Sequence, residues 1–322
     1  MLKNKSIKII FKSTIGASLF LWMSYSLYHQ IKLQPKLNQT IQAIFTEWDS
    51  IRMLMLASVF VLMVVNWTIE AAKWRIQLDG TEKFSIIQSL QSVLTGVAVS
   101  VITPNRIGEY VGRILYLKNV NKLQGITVTI IGSFAQLIVT GFLGLIGLIY
   151  YIIKIQHSAW LNVLLLSSIA LCLGLTYLYF NLSKFIEWTS MIPMLRKVKV
   201  YLEIVKRFKR KQLLQILGLS FLRYLVYTLQ FIILMKILLV EAQVLDLLFT
   251  VWLIFWAMAI VPTIAIAEIG IRGETALFFL APLSTNHFGI VSSSLLLWLI
   301  NLIIPALIGC LFVFRMKIYD DE

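Results

Sequence analysis

Long apolar runs separated by short polar segments dominate the 322-residue sequence. A helix needs about 20 apolar residues to cross a hydrocarbon core of ~30 Å, and several runs reach that length. The pattern therefore predicts an all-α polytopic membrane protein. Six full transmembrane helices are predicted, approximately at Ile7–Tyr28, Met53–Ala71, Gly125–Ile153, Trp160–Phe180, Leu213–Leu239 and Phe288–Phe314.

Two further apolar runs lead into polar stretches that are unusual in such a chain. The run Val93–Ile102 precedes Thr103–Arg113, which contains a proline, two glycines, two arginines and a glutamate. The run Leu247–Val261 precedes Pro262 and then Ala267–Glu274, which again combines glycines with charges. A charged side chain at the bilayer centre costs about 2.5–3.5 kcal/mol. We therefore expect both stretches to be functional and to face each other in one site.

The distribution of basic residues predicts on which side of the membrane each terminus and loop lies. Lysines before the first span and basic residues after the last place both termini in the cytoplasm. If residues 86–102 crossed the membrane, the most basic loop, Lys184–Lys211, would face outward, against the positive-inside rule. We therefore predict a re-entrant helical hairpin over Ile86–Lys122. The segment Leu247–Pro282 must then enter from outside, as a second re-entrant hairpin or as two short crossings.

The whole chain, residues 1–322, is predicted to form a single integral membrane domain. The order of span, hairpin and span occurs in residues 52–153 and, inverted, in residues 213–315, which is typical of inverted-repeat transporters. Between these halves, the basic segment 184–212 has apolar residues at helical spacing. It predicts a cytoplasmic amphipathic helix whose Arg196–Lys211 portion contacts anionic lipid, unless its charge is only a topology signal.

Composition supports this class and argues against others. Hydrophobic residues make up 59% of the chain and charged residues only 14%, against about a quarter in soluble proteins. The net charge of +14 fits the positive-inside rule and anionic lipid better than nucleic acid. Two cysteines in predicted spans and three scattered histidines give no metal-binding or disulfide pattern. No cofactor is predicted, and the absence of enzyme signatures favours a transporter.

The residue types in the polar stretches match an anionic head group. Arginine offers a planar fork that binds phosphate through two hydrogen bonds, and glycine permits close backbone approach. Arg223 adds a charge ~15 Å inside the fifth span, where an inward-facing role is expected. The candidate substrate-binding residues are Arg106, Arg113, Arg223, Arg272, Asn105, Gly108 and Gly270.

Three glutamates, Glu109, Glu268 and Glu274, are candidates for coupling or counter-charge. They either neutralise the arginines when no substrate is bound, take up protons that drive transport, or contact a cationic part of a lipid. The alternative is that Arg106 pairs with Glu109, and Arg272 with Glu268 or Glu274, in internal ion pairs that brace the hairpins. Polar or kink-forming residues expected to line the same cavity, or to join helices, are Asn66, Gln136, Asn301 and Pro305.

Three short patterns resemble a known family. They are Thr103–Glu109 followed by Arg113, Trp74-Arg75 after the second span, and Pro262 followed by Gly270–Arg272. These resemble the lysylphosphatidylglycerol synthase transmembrane family, a flippase-like membrane region, over about residues 10–315. The resemblance implies a helical membrane domain with re-entrant segments that moves lipid between leaflets. In the namesake proteins a soluble aminoacyl-transferase domain follows; no lipid aminoacylation is expected of this sequence.

Three positions depart from the family pattern. Asn105 stands where the family usually has glycine, and Ala267-Glu268 replaces a Gly-Gly pair. Gly273 occupies the position of an expected acidic residue, a role for which Glu268 or Glu274 is available. These departures leave the substrate and the role of the glutamates open.

The favoured hypothesis is a lipid flippase of the bacterial inner membrane. A phospholipid or polyprenyl-phosphate head group would cross through a polar midplane cavity. The second hypothesis is a membrane-embedded enzyme, or an accessory subunit of one, that acts on lipid-linked glycans or phospholipids. The third is a scaffold whose basic helix recruits partners. The sequence identifies neither the lipid, the direction and energy source of its movement, nor the oligomeric state.

Overall fold

Helices form every regular element in the described part of the chain. The computed structural model describes residues 22, 24–34, 37–46, 48–101, 103, 106–118, 121–155, 157–182, 184, 203–260 and 267–319. Residues 24–32 are helical. The helices that follow are α1 (Leu37–Thr46), α2 (Ser50–Leu78), α3 (Ile86–Val101), α4 (Gly108–Ile114), α5 (Lys122–Lys154), α6 (Ala159–Phe180), α7 (Arg210–Ile237), α8 (Val244–Ile260), α9 (Ala267–Leu280), α10 (His287–Trp298) and α11 (Ile304–Tyr319). A π-helical turn, Leu299–Ile303, makes α10 and α11 continuous.

Five of these helical segments are long and apolar enough to span a membrane, and they correspond to the last five predicted spans. They are α2, α5, α6, α7 and the continuous helix His287–Phe314. The first predicted span, Ile7–Tyr28, lies largely outside the described residues. The described chain is therefore that of a multi-pass helical membrane protein.

The predicted end of the second span is wrong. The predicted span ends at Ala71, two residues before Lys73, whereas α2 continues to Leu78 and buries Lys73 at 2% exposure. The physical reason is a polar stripe with helical spacing, formed by the buried residues Asn66, Glu70, Lys73 and Gln77. These side chains face the protein interior, so the helix does not stop where its hydropathy falls.

Two predictions for the connecting segments also need correction. Helix α1 lies between the first two predicted spans, in a segment for which no helix is predicted. Most of the predicted amphipathic helix lies outside the described residues, but its described end is not one continuous α-helix. Glu203–Arg207 is a 3-10 helix. Lys209 is extended, and its N–H donates to Gln212 Oε1 at 3.1 Å, which caps a new helix.

α3 and α4 pack antiparallel as a helical hairpin. The Ser92 hydroxyl donates to the Arg113 carbonyl at 3.0 Å. Nearer the open end, the backbone N–H of Lys118 donates to both carboxylate oxygens of Glu82, at 3.1 and 3.2 Å. Between these two contacts the residue number falls from 92 to 82 on one side and rises from 113 to 118 on the other, so the two segments run in opposite directions. The chain therefore enters and leaves the hairpin at the same end of the protein.

α8 and α9 contact each other and form a second hairpin that opens at the opposite end. The Asn286 amide donates to the carbonyls of Leu238 at 2.8 Å and Leu239 at 3.0 Å, which ties the start of the hairpin to its finish. Tyr150, near the C-terminal end of α5, donates to Asp246 in the first turn of α8. Because α5 begins beside the first hairpin's open end and runs away from it, the two openings lie at opposite ends.

Close helix crossings hold each hairpin to a long helix. α8 crosses α5 at Gly144, where an added Cβ would lie 2.1 Å from the Trp256 Cβ. α3 crosses α11 at Gly309, where it would lie 2.0 Å from the Leu94 carbonyl oxygen. Only glycine fits at such distances, and small residues serve the same purpose at helix interfaces in membranes. At the centre, α2 and α7 pack against each other.

Candidate functional site

The two polar stretches meet at one carboxylate. Arg106, in the turn before α4, donates from Nη2 to Glu268 Oε1 at 2.5 Å. Arg272, one turn after Glu268 on α9, donates to the same oxygen from Nη2 at 2.6 Å and from Nε at 3.1 Å. Glu268 lies in the first turn of α9, where the helix dipole favours negative charge. It therefore joins an arginine of the first hairpin to one of the second.

Arg106 has an unusual backbone conformation for this contact. Its φ is 55°, in the left-handed region that residues with a Cβ seldom occupy. Its N–H donates to the Thr103 carbonyl at 3.3 Å, and the Gly108 N–H donates to the Thr103 hydroxyl at 2.8 Å, which fixes the turn. Strained conformations of this kind are enriched at ligand clamps and switch regions. The side chain is 42% exposed, whereas that of Glu268 is 10% exposed.

A cavity of about 350 Å³ lies beside this contact. Ligand pockets usually have about 300–1,000 Å³, so the cavity is large enough for a small head group. Its charged walls are Arg106, Arg223, Arg272 and Glu268. Aromatic and amide side chains complete much of the wall, among them Trp67, Tyr224, Trp298, Asn66, Gln136 and Asn301.

A second charged cluster is centred on Glu70 of α2, which is 3% exposed. Its Oε1 accepts from Nη2 of Arg113, on α4, at 2.8 Å. Its Oε2 contacts Nζ of Lys73 at 2.7 Å and Nη1 of Arg223, on α7, at 2.8 Å. Arg113 also pairs with Glu109 one turn earlier on α4. Glu70 therefore ties together α2, α4 and α7.

Aromatic rings cover both arginines of this cluster. The Arg113 guanidinium carbon lies 5.6 Å from the centre of the Trp74 ring, and that of Arg223 lies 5.1 Å from the Trp67 ring. Cation–π contacts at such distances stabilise a cation most strongly where water is excluded. The rings therefore help to hold charges that the apolar surroundings disfavour.

Arg223 connects the buried cluster to the cavity. Its Nε donates to Asn66 Oδ1 at 3.0 Å, and Asn66 Nδ2 donates to Asn301 Oδ1 at 3.0 Å. Asn301 lies in the π-helical turn, and α11 begins three residues later with Ile304-Pro305. Because proline lacks a backbone N–H, it interrupts the helical hydrogen-bond ladder at this point. Pro305, predicted as a kink-forming residue, therefore lies four residues after Asn301, which was predicted to line the cavity.

The structure divides the predicted site residues into two groups. Arg106, Arg223, Arg272 and Glu268 line the cavity, as do Asn66, Gln136 and Asn301. Arg113 and Glu109 do not line it, since they form ion pairs in the buried cluster. Arg113 is therefore positioned to hold the first hairpin rather than to touch a ligand in the cavity.

The remaining predicted residues take other positions. Gly108 is buried, and an added Cβ would lie 2.3 Å from the Val99 carbonyl oxygen, so its small size serves helix packing. Gly270 is buried within α9. Glu274 accepts from Gln30 Nε2 at 3.2 Å and does not line the cavity. Asn105, Pro104 and Pro262 lie outside the described residues.

The sequence reasoning missed Glu70 and Lys73, which are the centre of the buried cluster. A usable signal was present. Asn66, Glu70, Lys73 and Gln77 recur at intervals of four, three and four, which is the spacing of one helix face. Within the described residues, no group of three or more His, Cys, Asp or Glu side chains is arranged to hold a metal ion.

These features define a class of protein: a multi-pass helical membrane protein in which two short helical hairpins meet at a charged cavity. The chain belongs to the family described as the lysylphosphatidylglycerol synthase TM region, whose model matches residues 9–309. The match includes both hairpins and the Glu70 cluster, and it confirms the resemblance seen in the sequence. No curated protein and no solved structure matches the chain.

Proposed function

We propose that this protein moves lipid between the leaflets of a bacterial inner membrane. An anionic, phosphate-bearing head group passes through the cavity while the hydrocarbon chains stay in the bilayer. The observation that carries the proposal is the cavity wall, where three arginines face one glutamate at the contact between the hairpins. Family membership supports a role in the membrane, whereas the charges of the wall support an anionic cargo.

The arginine side chains suit a phosphate ligand. Their planar forks donate two parallel hydrogen bonds to phosphate oxygens, and they are more weakly hydrated than lysine. Arg106 and Arg272 already share Glu268, which holds their forks in place when the cavity contains no ligand. A phosphate competes with this carboxylate for the same donors. Glu268 therefore acts as the counter-charge, and Arg113 with Glu109 positions the first hairpin.

The short helices support the interpretation of both hairpins as re-entrant. α3 has 16 residues and α8 has 17. At 1.5 Å per residue, such helices measure roughly 25 Å, which is less than the ~30 Å of a hydrocarbon core. Each hairpin also enters and leaves at one end of the protein. Irregular backbone at membrane depth is tolerated where it lines a cavity, as the turn at Arg106 does.

Contacts between the two halves support an inverted repeat. α3 of the first half packs against α11, the end of the second half, and α8 of the second half packs against α5, the end of the first. The first long helices of the two halves, α2 and α7, pack against each other. A two-fold axis in the membrane plane requires this exchange. Arg106 and Glu268 each precede an Ile-Gly pair, so equivalent positions of the repeat carry opposite charges and form one ion pair.

A translocation assay tests the proposal. The purified protein is reconstituted into liposomes that contain phosphatidylglycerol with a fluorescent tail, and dithionite destroys the fluorophores of the outer leaflet only. We expect the wild type to expose the inner-leaflet lipid. Arg272→Gln should slow this exposure about ten-fold or more, the effect of ~1.4 kcal/mol. Arg75→Gln, which removes the same charge from an exposed position of α2 outside the cavity, should move lipid at the wild-type rate.

Two outcomes would contradict the proposal. Equal rates for wild type, Arg272→Gln and Arg106→Gln would remove the cavity from the path of the lipid. A wild-type protein that moves no lipid, but releases a product from a lipid-linked glycan or phospholipid, would favour the enzyme hypothesis instead. Cysteine accessibility at the two termini tests the proposed cytoplasmic location of both.

A further inference from the structure

The charges that face the cavity do not balance. Arg106, Arg223 and Arg272 form its cationic wall, and Glu268 is the one carboxylate among the described lining residues. Arginine stays protonated at physiological pH, so the wall carries two more positive than negative charges. Glu70 lies behind Arg223 but does not cancel the excess, because it is shared with two other cations.

The excess is divided between two half-sites. In the first, Arg106 and Arg272 share Glu268, which leaves one positive charge. In the second, three cations surround two carboxylates and again leave one positive charge; its members are Lys73, Arg113, Arg223, Glu70 and Glu109. The first half-site belongs to the two hairpin tips, whereas the second connects α2, α4 and α7. Both reach the same cavity, one through Arg106 and Arg272, the other through Arg223.

We infer that the ligand carries two negative charges on its phosphate, as a phosphate monoester or a diphosphate head group does. This inference rests on the proposed function and narrows its cargo. Arg223 is 23% exposed and Arg272 is 12% exposed, so water screens uncompensated charge on this wall only in part, and a doubly charged phosphate neutralises both half-sites at once. A phosphodiester such as phosphatidylglycerol carries one charge and leaves one half-site unbalanced, so it is expected to bind more weakly than a doubly charged lipid. A monoester also presents three terminal oxygens, enough to accept from forks on opposite walls.

Lipids that differ only in phosphate charge provide the test. Phosphatidic acid is a phosphate monoester, and at about pH 9, well above the ~6 at which phosphorylated side chains lose their second proton, it carries close to two charges. Phosphatidylethanol has the same chains and one phosphate charge. Native mass spectrometry of the detergent-solubilised protein gives the affinity for each lipid. We expect the wild type to bind phosphatidic acid about ten-fold or more tightly than phosphatidylethanol, a difference of ~1.4 kcal/mol.

Single neutralisations should remove this preference. Arg272→Gln leaves one excess positive charge, so the affinities of this variant for phosphatidic acid and for phosphatidylethanol should approach each other. Arg106→Gln provides a second variant that is expected to fold, because Arg106 is 42% exposed. Arg75→Gln, with the same loss of charge outside the cavity, should keep the full preference.

The possible results separate this inference from the proposed function. If the wild type binds both lipids equally and still moves phosphatidylglycerol, the inference of a doubly charged ligand is wrong, whereas the proposed movement of lipid stands. A preference that survives both Arg272→Gln and Arg106→Gln would overturn its assignment to this cavity. Inorganic phosphate that binds as tightly as phosphatidic acid would show a soluble anion site and overturn the lipid cargo. A protein that neither binds nor moves any of these lipids would contradict both proposals.

Discussion

The charged cluster of Glu268 with Arg106 and Arg272, here called the Glu268 cluster, and the Glu70 cluster both consist of carboxylate–cation pairs, but their surroundings differ. In each, one carboxylate contacts cations from separate parts of the chain. In the Glu70 cluster, Lys73 and Arg113 are each 2% exposed, whereas in the Glu268 cluster Arg106 is 42% exposed. This difference in solvent exposure distinguishes the roles that we assign to the two clusters. The buried cluster joins α2, α4 and α7, whereas in the proposed function the more exposed cluster exchanges its carboxylate for a ligand.

Arg223 belongs to both environments. It contacts Glu70 and Asn66, yet it is 23% exposed and lines the cavity. A ligand bound at Arg223, as the proposed function requires, would therefore change the electrostatic balance of the buried cluster as well. We propose this as the physical route by which a head group in the cavity would affect the packing of α2 on α7.

The largest effect is expected from Glu70→Gln. The substitution leaves the three cations Lys73, Arg113 and Arg223 with the single carboxylate of Glu109 in this cluster, and removal of one member of a buried pair typically costs about 3–5 kcal/mol. We expect a marked fall in the thermal midpoint of unfolding in detergent, measured by intrinsic tryptophan fluorescence. Glu241→Gln, at an exposed position between α7 and α8, is the matched control and should leave the midpoint unchanged. Equal midpoints for the two variants would refute a structural role for the Glu70 cluster.

A smaller effect is expected at the contact between the hairpins. We propose a double-mutant cycle with Arg106→Gln, Glu268→Gln and the combination. Because Arg106 is 42% exposed, solvent screens the pair, and the coupling free energy should be about 0.5–1 kcal/mol. Denaturant unfolding in mixed micelles measures it.

The value of this coupling distinguishes the two clusters. A coupling of several kcal/mol would mean that the Arg106–Glu268 pair is as buried as the Glu70 cluster, and that it braces the hairpins without opening. A coupling of zero would mean that the two hairpin tips do not pair in the folded protein. Both results would remove the contrast on which the exchange of Glu268 for phosphate depends.

The sequence predicted the five long helices well, because the length of an apolar run is a local and simple signal. The antiparallel pairing of α3 and α4 agrees with a hairpin, whereas its re-entrant course stays a prediction. Span length follows from hydropathy. The hairpin Ile86–Lys122 was inferred because the basic loop Lys184–Lys211 is expected on the cytoplasmic side. The structure has α3 and α4 in that interval, paired antiparallel.

The rarity of charges in apolar surroundings predicted that the two polar stretches face each other, but not which residues pair. The bracing alternative joined Arg106 to Glu109, whereas the structure pairs Arg106 with Glu268 and Glu109 with Arg113.

The sequence did not predict which arginines line the cavity and which are paired behind it. Arg113 and Arg106 lie in one short stretch, yet Arg113 pairs with Glu70 of α2 and Arg106 with Glu268 of α9, a difference that tertiary packing decides. Lys73 was misplaced because falling hydropathy resembles the end of a span. A helix face that meets other charged elements gives the same local pattern, and only its spacing distinguishes the two cases.

The smallest expected effect compares the two indoles that cover arginines. Trp67→Phe and Trp74→Phe each keep an aromatic ring but weaken the cation–π contact, with Arg223 and Arg113 respectively. The indole nitrogen of each has no hydrogen-bond partner among the described residues, so no hydrogen bond with them is lost. Trp67→Phe should lower the unfolding free energy by about 0.5 kcal/mol, and Trp74→Phe, at the drier site, by about 1 kcal/mol or more. Lipid movement should slow only in Trp67→Phe, because Trp67 lines the cavity and Trp74 does not. If Trp74→Phe slows movement as much at equal stability, the buried cluster is part of the transport path rather than its support.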